Sequence, residues 1–205
     1  MIIALDFDGT LVDCRRRQVE CMASIFNRRR MFFDRESFWY NKREGSSTFQ
    51  TLMQTGLSSE QAKEISGEWV ELVESPYWLG YDQVLAGVND ALKDLCRQGA
   101  ALFLVTARKD EKFFLNQVRI LKLDQYFSGM FCVRPTEAAS CKAGILATIA
   151  PKYFIGDTES DLKAAEKCGT NFVAVSCGQR SHAFMSLIAQ PVFRDLPHFL
   201  STHEL

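Results

Sequence analysis

Residues 2–13 read Ile2-Ile3-Ala4-Leu5-Asp6-Phe7-Asp8-Gly9-Thr10-Leu11-Val12-Asp13. Four apolar residues run straight into a carboxylate. A short apolar run that ends in polar and turn-forming residues marks a strand buried on both faces. Asp6 and Asp8 are two apart, so in an extended segment their side chains share a face. Gly9 and Thr10 then permit a tight turn.

The same pattern recurs along the chain. Apolar runs occupy 101–105, 130–133, 153–155 and 172–175, with a weaker one at 191–193. Helical periodicity lies between them. Val88, Ala91, Leu92 and Leu95 form one apolar stripe, and Gly99 follows as a stop signal. Residues 113–121 and 158–167 repeat the helical period, the latter ending before Gly169. Strand–helix–strand alternation predicts an α/β fold, a Rossmann-like parallel sheet with helices on both faces.

One region breaks the alternation. From Cys14 to about Asp82 there is no strand pattern, and helical patterns fall at 18–29 and 60–74. Ser58-Ser59-Glu60-Gln61 opens the second as a capping box. This stretch holds 11 of the 24 aromatic residues, including all three tryptophans. The expected organisation is an α/β core from residues 1–13 and 83–205, with an inserted α-helical cap over 14–82.

Composition removes several function classes. The chain has 205 residues, with 24 Lys and Arg against 25 Asp and Glu, for a formal charge of −1. That balance lacks the basic excess of a nucleic-acid binder. No segment approaches the roughly 18 apolar residues of a membrane span. The seven cysteines are scattered, odd in number and without a C-x-x-C pair. A disulfide framework or zinc knuckle is therefore not expected, and a reducing compartment is. The N-terminal run has no positive flank and is too short for a signal peptide, so a cytoplasmic location is expected.

In a parallel sheet, ligands bind beyond the carboxyl ends of the strands. Three of those ends carry suggestive groups: Asp6 and Asp8; Thr106-Ala107-Arg108; and Gly156-Asp157-Thr158-Glu159-Ser160-Asp161. Lys142 lies in a helical stretch just before the last of these. Asp157 and Asp161 are four apart, which puts both on one side of a starting helix. Four carboxylates gathered at one edge repel one another and require a compensating cation. An all-oxygen set suits a hard ion, Mg²⁺ ahead of Ca²⁺ or Zn²⁺. Thr106 and Lys142 are natural partners for phosphate oxygens.

These residues resemble the haloacid dehalogenase-like hydrolase superfamily. Residues 6–13 are similar to its first motif, D-x-D-G-T-L-x-D. Val105-Thr106 resembles the second, Lys142 is the best candidate for the third-motif lysine over the nearby Lys152, and residues 156–161 resemble G-D-x-x-x-D. The insert resembles a type C1 cap, as in phosphoglycolate-phosphatase-like and β-phosphoglucomutase-like members. The resemblance implies that Asp6 is the nucleophile of an aspartyl-phosphate mechanism and Asp8 the acid and base. It implies Mg²⁺ on Asp6, the Asp8 carbonyl, Asp157 and Asp161, and a phosphoryl group gripped by Thr106 and Lys142. Asp8 favours phosphoryl transfer over dehalogenation. Gly9 and Ala107 are expected beside the substrate; for Arg108, substrate and a neighbouring carboxylate both stay open.

The implied activity is a phosphatase acting on a small phosphorylated metabolite, with no nucleic-acid or membrane partner, as monomer or homodimer. Alternatives are a phosphotransferase or mutase on a sugar phosphate, and a catalytically idle phospho-ligand sensor. Residues 41–46 resemble a cap specificity loop, with Lys42 or Arg43 expected at the leaving group. Charge within the insert is split. Residues 14–43 carry nine basic and three acidic side chains, and residues 44–82 carry one basic and seven acidic. Two helices pairing through complementary faces is the favoured account, ahead of an electropositive approach for substrate.

Overall fold

The computed structural model describes residues 1–203. The first apolar run is strand β1 (Ile2–Leu5), followed by the short β2 (Val12–Asp13). Five helices come next: α1 (Arg15–Arg28), α2 (Arg35–Arg43), α3 (Thr48–Met53), α4 (Ser59–Leu72) and α5 (Pro76–Leu79). β3 (Gln83–Val84) closes this excursion by pairing antiparallel with β2. The two chain crossings into and out of the helical region therefore lie side by side. Neither two-residue strand is visible as a hydrophobic run.

The rest alternates as expected. α6 (Val88–Arg97), β4 (Ala101–Ala107), α7 (Glu111–Ile120), β5 (Phe127–Val133), α8 (Ala138–Ile149) and β6 (Tyr153–Gly156) follow in order. Then come α9 (Glu159–Cys168), β7 (Asn171–Val175), α10 (His182–Ser186), β8 (Val192–Phe193) and α11 (Leu196–Thr202). Six strands form one parallel sheet in the order β5-β4-β1-β6-β7-β8. β1 sits between β4 and β6, where the strand order reverses direction. Such a switch point opens a crevice at the carboxyl ends, and Asp6 stands there.

The alternation of β1 divides the core. Ile3 and Leu5 face Val88, Leu92 and Leu95 of α6, Phe114 and Val118 of α7, and Phe199 of α11. Ala4 faces Leu146 of α8 and Ala164 and Ala165 of α9, with Val105 and Phe154. Helices thus cover both faces, as a fully buried parallel sheet requires. The helical insert has its own apolar cluster, built from Met22, Ile25, Phe26, Phe38, Leu52, Ala62 and Ile65. We refer to it as the cap.

The split charge of the cap is spent between its helices. Arg28 of α1 and Arg29, which follows it, pair with Glu68 of α4, and Arg29 also pairs with Glu64 at 2.8 Å. These pairs are largely solvent-exposed, each worth about 0.2–1 kcal/mol. α2 starts at Asp34, whose side chain accepts from the backbone N–H groups of Glu36 and Ser37. It runs to Arg43, so Lys42 and Arg43 lie in a helical last turn rather than in the connector expected over 41–46.

Candidate active site

Three buried carboxylates converge past the ends of β1 and β6. Asp6, Asp157 and Asp161 offer oxygens that all lie within 4.8 Å of one another. Lys142, reaching from α8, donates to Asp6 Oδ1 at 2.7 Å and to Asp161 Oδ1 at 2.6 Å. Thr158 precedes α9, and its hydroxyl donates to Asp161 Oδ2 at 2.6 Å. Asp157 Oδ2 accepts from the Gln179 N–H, but Asp157 Oδ1 is buried without a partner. The packing is close: a Cβ on Gly178 would lie 2.1 Å from Asp157 Oδ2 and 2.3 Å from the Gly9 Cα.

Charge counting identifies what this cluster lacks. Three carboxylates against one ammonium leave −2. Burial pushes Asp6 up to about 7 against the pull of Lys142. Burial, with the charges of Asp6 and Asp161, raises Asp157 well above the ordinary carboxylate value. Burial disfavours the Lys142 ammonium, yet Asp161 and Asp6 outweigh it and raise its pKa. A hard divalent cation would neutralise the excess and satisfy Asp157 Oδ1. The residues present fit such an ion.

A second cluster beside the first is already balanced. Asp8 Oδ1 accepts from Arg17 Nη2 at 2.7 Å and from Arg108 Nη2 at 2.6 Å, and Arg108 Nε donates to Asp8 Oδ2. Arg17 Nε donates to Asp82 Oδ1 at 3.0 Å. Gln117 joins the two ends, donating to Asp82 Oδ2 at 2.8 Å and accepting from Arg108 Nη2 at 3.2 Å. Two carboxylates meet two guanidiniums, and all four are buried. Burial opposes ionisation of Asp8, but Arg108 and Arg17 outweigh it and hold its carboxyl below the usual range. Asp82 is pushed up to about 6, chiefly by burial. A cleft of about 230 Å³ opens onto this cluster, lined in part by Asp8, Arg17, Gln18, Trp69, Ala107 and Gln179.

A sequence model of the haloacid dehalogenase-like hydrolases matches residues 3–175. The chain belongs to that family. The phosphoglycolate phosphatase 1 of Pseudomonas aeruginosa is 26% identical over 192 residues, covering 86% of this chain and 70% of the relative. A haloacid dehalogenase-like family protein of Streptococcus pneumoniae superposes with a TM-score of 0.79 at 20% identity, covering 99% of this chain and 98% of the other. A structure described as a predicted phosphatase from Clostridium acetobutylicum gives 0.75 at 19% identity, covering 98% and 96%. The expected fold and the expected enzyme class, a phosphatase of this family, are both met.

Asp6, Asp157, Asp161 and Lys142 meet in one cluster. Lys152 is elsewhere, its ammonium 5.1 Å from the Tyr153 ring centroid. Thr106 is buried at the penultimate position of β4, and Gly9 lies against Asp157. Arg108 is turned to the carboxylate of Asp8. Arg43 is turned to the core, its Nη2 donating to the carbonyls of Ser176 at 2.6 Å and Arg180 at 3.2 Å. Lys42 is buried, with Nζ 3.2 Å from Thr48 Oγ1 and 4.5 Å from the Trp69 ring centroid. Burial pushes its pKa down to about 7.

Sequence reading missed Arg17, Asp82 and Gln117. Arg17 is one of three consecutive arginines, and nothing local separates it from its neighbours. The helical register does: Cys14, Arg17, Gln18 and Cys21 share one stripe, and all four are buried.

Proposed function

We propose that the protein is a Mg²⁺-dependent phosphatase that removes phosphate from a small phosphorylated metabolite through an aspartyl-phosphate on Asp6. The observation that carries this reading is the pairing of two buried clusters: one at −2 with an unpartnered Asp157 Oδ1, the other neutral and centred on Asp8.

Asp6, the Asp8 backbone carbonyl, Asp157 and Asp161 would hold the ion. When bound, Mg²⁺ supplies charge neutralisation and polarises the phosphoryl oxygens. Asp6 attacks phosphorus in line with the departing oxygen. Lys142 Nζ, already 2.7 Å from Asp6, neutralises charge where the phosphoryl arrives, and the Thr106 hydroxyl donates to a phosphoryl oxygen. Asp8, which Arg108 and Arg17 hold ionised in the ligand-free chain, would take up a proton as the anionic substrate enters, give it to the leaving oxygen and later take one from the hydrolytic water. Arg108 and Arg17 fix the orientation of that carboxylate. Gly9 and Ala107 leave room for the substrate against the backbone.

The cap sets the size of the leaving group. Gln18 and Trp69 line the cleft beside Asp8 and limit what enters. Lys42, buried against the Trp69 ring with the Thr48 hydroxyl as its polar partner, suits an anionic leaving group, whose charge would favour its ammonium form. A phosphorylated small carboxylic acid, the class named for the Pseudomonas relative, meets that requirement. Seven free thiols are consistent with a reducing, cytoplasmic setting. No helix among the described residues is long and apolar enough to cross a membrane.

A phosphate-release screen over small phosphomonoesters, with Mg²⁺ and with chelator, tests the reading. Mg²⁺-dependent release from at least one carboxylated ester is expected. Isomerisation of a sugar phosphate without phosphate release would transfer the assignment to a mutase.

A further inference from the structure

The loop joining β7 to α10, residues 176–181, touches the metal carboxylates at one point and the cap at another. At the first, the Gln179 N–H donates to Asp157 Oδ2, and Gly178 packs against Gly9. At the second, Arg180 Nη1 donates to the Lys42 carbonyl at 2.9 Å, and the Ser181 N–H donates to the Arg43 carbonyl at 2.9 Å. Those carbonyls belong to the last turn of α2, where the Lys42 carbonyl also accepts from the Gly45 N–H at 3.1 Å. The core thus caps a cap helix in trans.

The exchange is reciprocal. Arg43 of α2 donates to the Ser176 and Arg180 carbonyls of the loop. Arg180 is itself held by Glu159, with Nε and Nη2 each 2.7 Å from a carboxylate oxygen. Glu159 opens α9, two residues after Asp157. Phe184 seals the contact from α10: a Cβ on Gly45 would lie 2.3 Å from its Cε2. A bidentate guanidinium that also reaches a carbonyl holds its plane in one orientation. One side chain therefore fixes the end of α2 relative to the segment that carries Asp157.

We propose that Arg180 is a positioning residue that holds the cap closed over the site and sets its register against Asp157, and so limits the size of the leaving group the cleft admits. The proposal rests on the phosphatase reading. Arg180 touches no reacting atom; it acts through α2 and through the 176–181 loop. Opening the cap admits water and lowers the selectivity that the cleft imposes, and displacements near 1 Å cost rate on the order of 10²-fold.

The test uses the full chain with Mg²⁺ and the variants Arg180→Ala, Arg180→Lys and Glu159→Gln. Two readouts are taken: amide hydrogen exchange at Ser181 and across residues 44–47, and kcat and KM for 2-phosphoglycolate and p-nitrophenyl phosphate. Arg180→Ala is expected to speed exchange at Ser181 about tenfold or more and to lower kcat/KM for 2-phosphoglycolate about tenfold or more. The activated p-nitrophenyl ester, which needs less of the closed site, should change less than about threefold. Arg180→Lys, which keeps the charge but not the fork, and Glu159→Gln, which loosens its anchor, should fall between. An equal loss on both esters with wild-type exchange at Ser181 would overturn the proposal, as would no change in either readout. If wild type turns over neither ester, the phosphatase reading fails, and the exchange data alone still decide the clasp.

Discussion

Arg17, carried by the cap, donates to Asp8 of the core at 2.7 Å. The same guanidinium donates to Asp82, next to the strand that returns the chain to the core. A cap residue thus helps to orient the Asp8 carboxylate, and it does so from the point where cap and core connect. Removing it strands two buried carboxylates beside the single guanidinium of Arg108.

Arg17→Ala is therefore expected to destabilise the fold by about 3–5 kcal/mol, the usual cost of leaving a buried charge unpaired. Arg17→Lys should recover part of the loss, since an ammonium reaches one carboxylate but lacks the fork. Urea denaturation of the two variants checks the order.

The carboxylate excess around Asp6 makes a less usual prediction. Asp157→Asn removes one charge from a cluster at −2, so in chelator the variant should melt above wild type. Added Mg²⁺ should raise the wild-type melting temperature, by about 2.7 kcal/mol of stability at a hundredfold excess over Kd, and leave the variant unmoved. Thermal melts with Mg²⁺ and with chelator separate these outcomes.

The same cluster sets a pH dependence. Burial raises Asp6 to about 7 and Asp157 well above its ordinary value of 3.8. Asp82, raised to about 6, acts in the same sense. Between the ordinary carboxylate value and these raised ones, the folded chain binds more protons than the unfolded chain. Stability then falls as pH rises. Metal-free protein should be more stable to urea near pH 5 than near pH 7, and saturating Mg²⁺ should reduce that slope. A metal-free stability that rises from pH 5 to pH 7 would count against the burial of this carboxylate excess.

Lys42 makes a prediction about substrate. Lys42→Met keeps the length of the side chain and removes its charge. KM for 2-phosphoglycolate should rise about tenfold, the scale of one screened charge interaction, with little change in kcat. p-Nitrophenyl phosphate, whose leaving group carries no carboxylate, should be unaffected. Equal effects on both esters would remove Lys42 from the leaving-group site.

Much of this is legible in the sequence. The run into Asp6 marks a central strand because both its faces are buried, and Ser58 and Gln61 announce the start of α4 through side chains that bond its first N–H groups. The convergence of Asp6, Asp157, Asp161 and Lys142 follows from strand ends sharing one edge. The rest depends on tertiary contact. β2 and β3 are two residues each and exist only because they pair with one another. α2 extends through Lys42 and Arg43, and its last carbonyls accept from Arg180 and Ser181 of the core as well as from Gly45. Arg17 and Arg108 are ordinary basic residues in sequence; only their meeting on Asp8 gives them a role.

The central claim is that Asp6 is the nucleophile of a Mg²⁺-dependent phosphatase. Its most direct test is mass spectrometry of the acid-quenched protein after mixing with Mg²⁺ and 2-phosphoglycolate or p-nitrophenyl phosphate. A phosphate adduct is expected on the peptide carrying Asp6, absent in Asp6→Asn and in chelator. Phosphate release that persists in Asp6→Asn, or an adduct on another residue, would contradict it.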